Sequence, residues 1–73
     1  MIFILGPNKR TAEFYAREKR LLHYKVICGV GDLRGCTKVI LVCLPGYHMR
    51  EDIDEINAEI ESMENMGDLV KSV

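Results

Sequence analysis

The sequence predicts an α/β fold, a small three-stranded parallel sheet of order 2-1-3 carrying two main helices. Three short apolar runs carry this expectation. Met1 to Leu5 stops at Gly6-Pro7, Lys25 to Cys28 stops at Gly29-Val30-Gly31, and Lys38 to Leu44 stops at Pro45-Gly46. Runs this short and rich in strand formers suit strands buried on both faces, as in parallel sheets. The first and third then pass into helical spacing. Ligands of such sheets sit beyond the carboxyl ends of the strands, so any site is expected at these Gly and Pro turns.

The first strand, Met1-Ile2-Phe3-Ile4-Leu5, ends where Pro7 removes a donor and Asn8 caps the helix that follows. That helix is expected from Lys9 to about Leu22, with Ala12, Tyr15, Ala16 and Leu22 near one face and Lys9, Arg10, Glu13, Arg17 and Arg20 in water. Enough chain separates the first strand from the second, Lys25-Val26-Ile27-Cys28, for a helical parallel crossover.

The connection Gly29 to Thr37 admits two readings, a hairpin with a wide loop or a compressed crossover with one helical turn at Gly31-Asp32-Leu33-Arg34. The crossover is favoured, because Val39 to Leu44 is apolar throughout, as a central parallel strand would be. Leu33 would plug the core edge while Asp32 and Arg34 face solvent. Ile4, Val26, Ile40 and Val42 are expected to be buried.

The last helix begins near Met49 to Glu51, with Asp52, Asp54 and Glu55 at its positive end. Ile53, Ile56, Ile60 and Met63 form its apolar stripe. The stripe reads first as a sheet-packing face, and its heptad-like steps also suit a helix–helix dimer seam. Gly67 ends or kinks this helix, and Leu69, Val70 and Val73 either tuck onto the core or fray.

The 73 residues make one domain, 1–73, with 48% hydrophobic and 29% charged residues, which fits a folded chain. No apolar run approaches the roughly 18 residues of a membrane span, and the N-terminus lacks secretory signal features. A cytoplasmic location without membrane attachment is expected. The three cysteines, Cys28, Cys36 and Cys43, form no CxxC pair and read as buried, reduced thiols. Zinc held by them with His23 or His48 would need ligands from scattered places, so no metal site is assigned. Residues 1–50 carry nine Lys or Arg against three acids (+6), and residues 51–73 carry one Lys against eight acids (−7). Two solvated faces of opposite sign explain this. A basic part meeting an anionic partner, or head-to-tail pairing of copies, would use the same asymmetry.

The first loop, Gly6, Asn8, Lys9, Arg10 and Thr11, is the best anion-binding candidate, because amides at a helix start attract phosphate. It is not a Walker A loop, which needs a second Gly before its Lys. Gly29 to Gly35 has GxGxxxG spacing in the wrong place for a dinucleotide fingerprint, although Gly31 and Asp32 lie at the same sheet edge. In the third loop, Gly46, Tyr47 and His48 would offer stacking and a hydrogen-bonding ring. No catalytic constellation and no cofactor signature is legible, so the chain is not expected to be an enzyme.

MIFILG, AEFYAREKRLL, DLRG and VILVCLPG together resemble small Rossmann-like proteins of actinobacteriophages, including mycobacteriophages, over roughly Met1 to Gly46. The resemblance implies a Rossmann-like fold and a phage source, and transfers no catalytic residue. The expected function is that of a small non-enzymatic binding module acting on a host protein. The alternatives are a nucleotide or phosphoryl-ligand binder using the three loops, and nucleic-acid binding through Lys9, Arg10, Arg17, Lys19 and Arg20. A homodimer is expected, through residues between Arg50 and Met66 that include Ile53, Ile56, Ile60 and Met63.

Overall fold

A computed structural model describes residues 1–72 and shows a parallel sheet with four strands, not three, among them. In chain order the elements are β1 (Ile2–Leu5), α1 (Lys9–Glu18), β2 (Tyr24–Val26), β3 (Val39–Cys43), α2 (Ile53–Asn65) and β4 (Leu69–Ser72). Short 3-10 turns occupy Val30–Asp32 and Tyr47–Met49. The order is β2-β1-β3-β4, with every neighbouring pair parallel. The expected 2-1-3 order therefore stands, the third strand is parallel to its neighbours, and the Gly29–Thr37 connection is a crossover. The added strand comes from Leu69 and Val70, which pair with Val39 and Ile40. Val73 lies outside the described residues.

The two faces of the sheet bury separate cores. On one, Phe3, Leu5, Val39, Leu41 and Leu69 meet Ile56, Ile60 and Met63 of α2, and Leu33 closes the end. On the other, Ile4 and Val42 meet Ala12 and Ala16 of α1 with Leu44. Ala12 and Ala16, both fully buried, form the sheet-facing side of α1. Travel along the sheet reverses after β2, so right-handed connections must cross on opposite faces. Leu33, in the β2–β3 crossover, indeed packs in the α2 core.

α1 is shorter than its spacing suggested. It ends at Glu18, with Lys19 as its C-cap and Arg20 in the left-handed region at φ 54. The Leu21 amide then returns to the Ala16 carbonyl at 2.9 Å, the closing bond of a Schellman turn. Leu22 is consequently thrown into solvent, 89% exposed, and takes no part in the apolar face.

The sheet's α1 side is only partly covered. Tyr24, Ile2, Ile40 and Val70 lie in one register row across β2, β1, β3 and β4. Tyr24 and Ile2 are half-buried, Ile40 is 46% exposed and Val70 66%. Burial thus fades away from α1, and Ile40 is not the core residue its apolar run implied. Val26, on the β2 edge, is only half-buried for the complementary reason that an edge strand lacks one neighbour.

Candidate functional site

Where the strand order reverses, between the carboxyl ends of β1 and β3, α/β sheets commonly open a ligand crevice. Here that crevice is filled. Gly46 adopts φ +87, and a Cβ placed on it would meet Pro7 Cβ and Cγ at 3.5 Å. A Cβ on Gly6 would meet Leu44 Cδ1 at 3.3 Å. The two turns pack directly on each other, so the open space moves to the β1–β2 side. A cleft of about 440 Å³ lies there, bounded by Pro7, Asn8 and Lys9 after β1, by Ile27 and Cys28 after β2, and by Arg50 to Asp52 before α2.

Arg50 organises this edge. Its side chain is 11% exposed. Nη1 donates to the Gly6 and Ile27 carbonyls, each at 3.1 Å, and Nη2 donates to the Cys28 carbonyl at 2.9 Å. Nε and Nη2 also donate to the two Asp52 carboxylate oxygens at 2.9 and 3.2 Å. These bonds account for all five guanidinium N–H groups. The arginine ties the ends of β1 and β2 to the start of α2. Asp52 occupies the N-cap position of α2 without capping it, because its carboxylate faces Arg50. That hydrogen bond holds its pKa below the ordinary carboxylate value.

The other polar residues of the loops are also engaged. Asn8 Oδ1 accepts from the Thr11 amide at 2.8 Å and from the Thr11 hydroxyl at 3.0 Å. Asp32 Oδ2 accepts from the amides of Cys28 at 2.7 Å and Gly29 at 3.3 Å, while Lys25 Nζ lies 3.7 Å from Oδ1. The Cys28 amide, foremost, pulls the Asp32 pKa down. Asp32 is thus a turn lock and does not simply face solvent as expected. Gly31, in the adjacent 3-10 turn, lies away from the cleft lining.

Of the candidates picked from the sequence, the structure brings Asn8 and Lys9 to the cleft, and the Gly6 carbonyl to Arg50. Arg10 and His48 are exposed, and Tyr47 packs half-buried against the α2 core with its ring edge-on to His48. None of these three lines the cleft. No sequence motif marks Arg50, Asp52, Ile27 or Cys28, which line the same cleft. Arg50 is one of ten Lys and Arg in the sequence, and nothing local signals that its partners are carbonyls at 23 and 44 residues' separation.

Ile56, Ile60 and Met63 are buried against the sheet, and Ile53 packs on the same core. The stripe expected to serve as either a sheet face or a dimer seam is therefore used within the chain. Among the described residues, no group of three or more His, Cys, Asp or Glu is placed to hold a metal ion, and no helix is long and apolar enough to cross a membrane. Comparison with protein-family models, curated proteins and solved structures gives no match.

Proposed function

We propose that this chain is a small non-enzymatic protein-binding module that recognises its partner through the uncovered part of its sheet. The row from Ile2 through Ile40 to Val70 carries this reading: it is apolar, increasingly exposed, and runs from the covered centre of the sheet to its open edge. Ile40 and Val70 are neighbours across β3 and β4, so their exposed apolar side chains lie side by side, an arrangement that suits an interaction site. Supporting it, Asn8, Asp32, Arg50 and Asp52 are committed to internal hydrogen bonds and hold the loops in shape. The Rossmann-like resemblance to actinobacteriophage proteins adds the context of a phage product acting on a host protein in the bacterial cytoplasm.

A second reading is a phosphoryl-ligand binder at the β1–β2 cleft, favoured by the position of Lys9 and the start of α1 at its rim. The exposed Lys9, Arg10, Arg17, Lys19 and Arg20 leave nucleic acid as a weaker alternative. The test is capture of partners from host lysate with the native chain, with Ile40→Lys plus Val70→Lys, and with Lys9→Ala plus Arg10→Ala. The proposal expects capture that the first double variant loses and the second keeps. Loss with the second variant only, or amide shifts confined to residues 8–10 with a nucleotide panel, would replace it with an anion-binding function.

A further inference from the structure

We propose that the β4 edge pairs with the β4 edge of a second copy, antiparallel and centred on Val70, joining two sheets into one of eight strands. Among the described residues both outer strands, β2 and β4, present unpaired peptide groups, but they differ in what a twofold axis would bring together. The Val39 amide donates to the Asp68 carbonyl at 2.8 Å. Alternation along a parallel ladder then turns the peptide groups of Leu69 and Lys71 outward. A twofold axis normal to the sheet keeps each side chain on its own face, so the outward residues can pair in few registers.

Pairing Leu69 with Lys71 of the second copy makes four backbone hydrogen bonds and sets Val70 against its own copy on the axis. A shift one way sets Lys71 opposite Lys71. A shift the other way runs into Gly67, where the chain turns at φ +79. The Val70-centred register is the one without a like-charge pair or a turn in the ladder. Lys71 Nζ also lies 3.8 Å from Glu64 Oε1 of its own chain, so the axis brings together two compensated pairs.

The β2 edge excludes the same arrangement. The Ile27 amide donates to the Ile4 carbonyl at 3.0 Å, which turns Tyr24 and Val26 outward. Their mutual pairing sets Lys25 against Lys25 at the closest approach of an antiparallel pair, about 4.5 Å between Cα atoms. The next outward amide, that of Cys28, is already donated to Asp32. One edge thus carries its own block and the other carries an apolar residue at the matching position.

Pairing at β4 also makes the apolar row continuous, from Ile2 and Ile40 through Val70 into the second copy. It extends the surface proposed above without depending on what that surface binds. Two short strands make a contact well below the roughly 1,200 Å² of stable complexes, so the dimer is weak and is best read by covalent trapping. The native exposed thiol is removed by Cys28→Ser, and Val70→Cys is compared with Ser72→Cys in glutathione buffer at high micromolar protein. Cα separation at the axis suits a disulfide, so Val70→Cys is expected to dimerise at least tenfold faster than Ser72→Cys.

Adding Lys71→Pro removes an outward N–H while leaving the β3 ladder intact, and is expected to abolish the difference, with an unchanged amide spectrum for residues 2–43 certifying the fold. High salt should leave trapping equal or faster, because two acidic α2 helices approach each other. Equal trapping of the two cysteines, indifference to Lys71→Pro in a folded chain, or loss of trapping in salt would overturn the proposal. The last outcome would point to α1–α2 charge pairing. None of these readouts involves a host partner, so they fail or succeed separately from the proposed function.

Discussion

Arg50 and Asp52 stand two residues apart and form a two-pronged ion pair, Nε to Oδ1 at 2.9 Å and Nη2 to Oδ2 at 3.2 Å. The planar fork of the guanidinium makes this geometry available to arginine and not to lysine. The same group satisfies three carbonyls at the ends of β1 and β2. One side chain therefore fixes the relative placement of two strands and a helix start.

Arg50→Ala is expected to destabilise the fold by about 2–3 kcal/mol, because it removes charge-assisted bonds and leaves Asp52 without its partner. Arg50→Lys should recover less than half of this, since an ammonium cannot reproduce the five-donor fork. Urea denaturation of the three proteins measures both. A loss below about 0.5 kcal/mol for the alanine variant would show that the arginine is an ordinary surface residue.

Acid sensitivity follows from the same contacts. Asp32 and Asp52 both have folded-state pKa values below the ordinary value, the first mainly through the Cys28 amide and the second through Arg50. A depressed carboxylate stabilises the fold above its unfolded pKa, about 3.9, and loses that contribution as pH falls through the lower folded value. Stability should thus be flat with respect to these two groups above about pH 5 and decline below about pH 4. Asp32→Asn with Asp52→Asn should flatten the low-pH part of the curve in denaturation experiments at a series of pH values.

The thiols should react in order of access. Contrary to the expectation of buried thiols, Cys28 is exposed, because it follows the edge strand β2, and Cys36 and Cys43 are only half-buried; burial raises the Cys43 pKa. The thiolate is the reactive form, so alkylation near pH 8 should label Cys28 first and Cys43 slowly. Mass mapping of a time course would show this, and early labelling of Cys43 would contradict the burial of β3.

Exposure along the sheet separates core from surface. Ile56→Ala should cost about 2–5 kcal/mol, as for other fully buried aliphatic residues. Ile40→Ser, on the same fold but over the uncovered row, should cost well under half of that. Thermal unfolding of the two variants distinguishes them. Equal losses would mean that Ile40 is covered in solution.

Much of the fold was legible because strand burial and helix spacing are local. Apolar runs ended by Gly and Pro locate three strands, and Leu33 plugs the core as its position predicts. β4 is not legible in the sequence because Leu69-Val70-Lys71-Ser72 is short and half polar, and only pairing with β3 makes it a strand. The exposure of Ile40 is not legible because a continuous apolar run shows that both strand faces are apolar, and does not show where the overlying helix stops. The turns at the sheet edge were located, but their polar residues proved to satisfy one another. Such pairing depends on distant backbone positions, as the Gly6 and Ile27 carbonyls at Arg50 illustrate.

The end of α1 supplies the last prediction. Arg20 sits at φ 54, a left-handed position where L side chains other than Asn and Asp are disfavoured by roughly 1–2 kcal/mol. The Leu21 amide bond to Ala16 requires that conformation. Glycine adopts it without a Cβ clash but loses more backbone entropy on folding. Arg20→Gly should therefore stabilise the chain modestly, by about 0.5–1 kcal/mol, and should leave the positions of Ala12 and Ala16 against the sheet unchanged. Arg20→Val should do the reverse, because branching at Cβ worsens the left-handed clash. Chemical denaturation of the pair gives the sign directly. Destabilisation by glycine would mean that α1 continues past Glu18 in solution, with Leu22 returned to the apolar face.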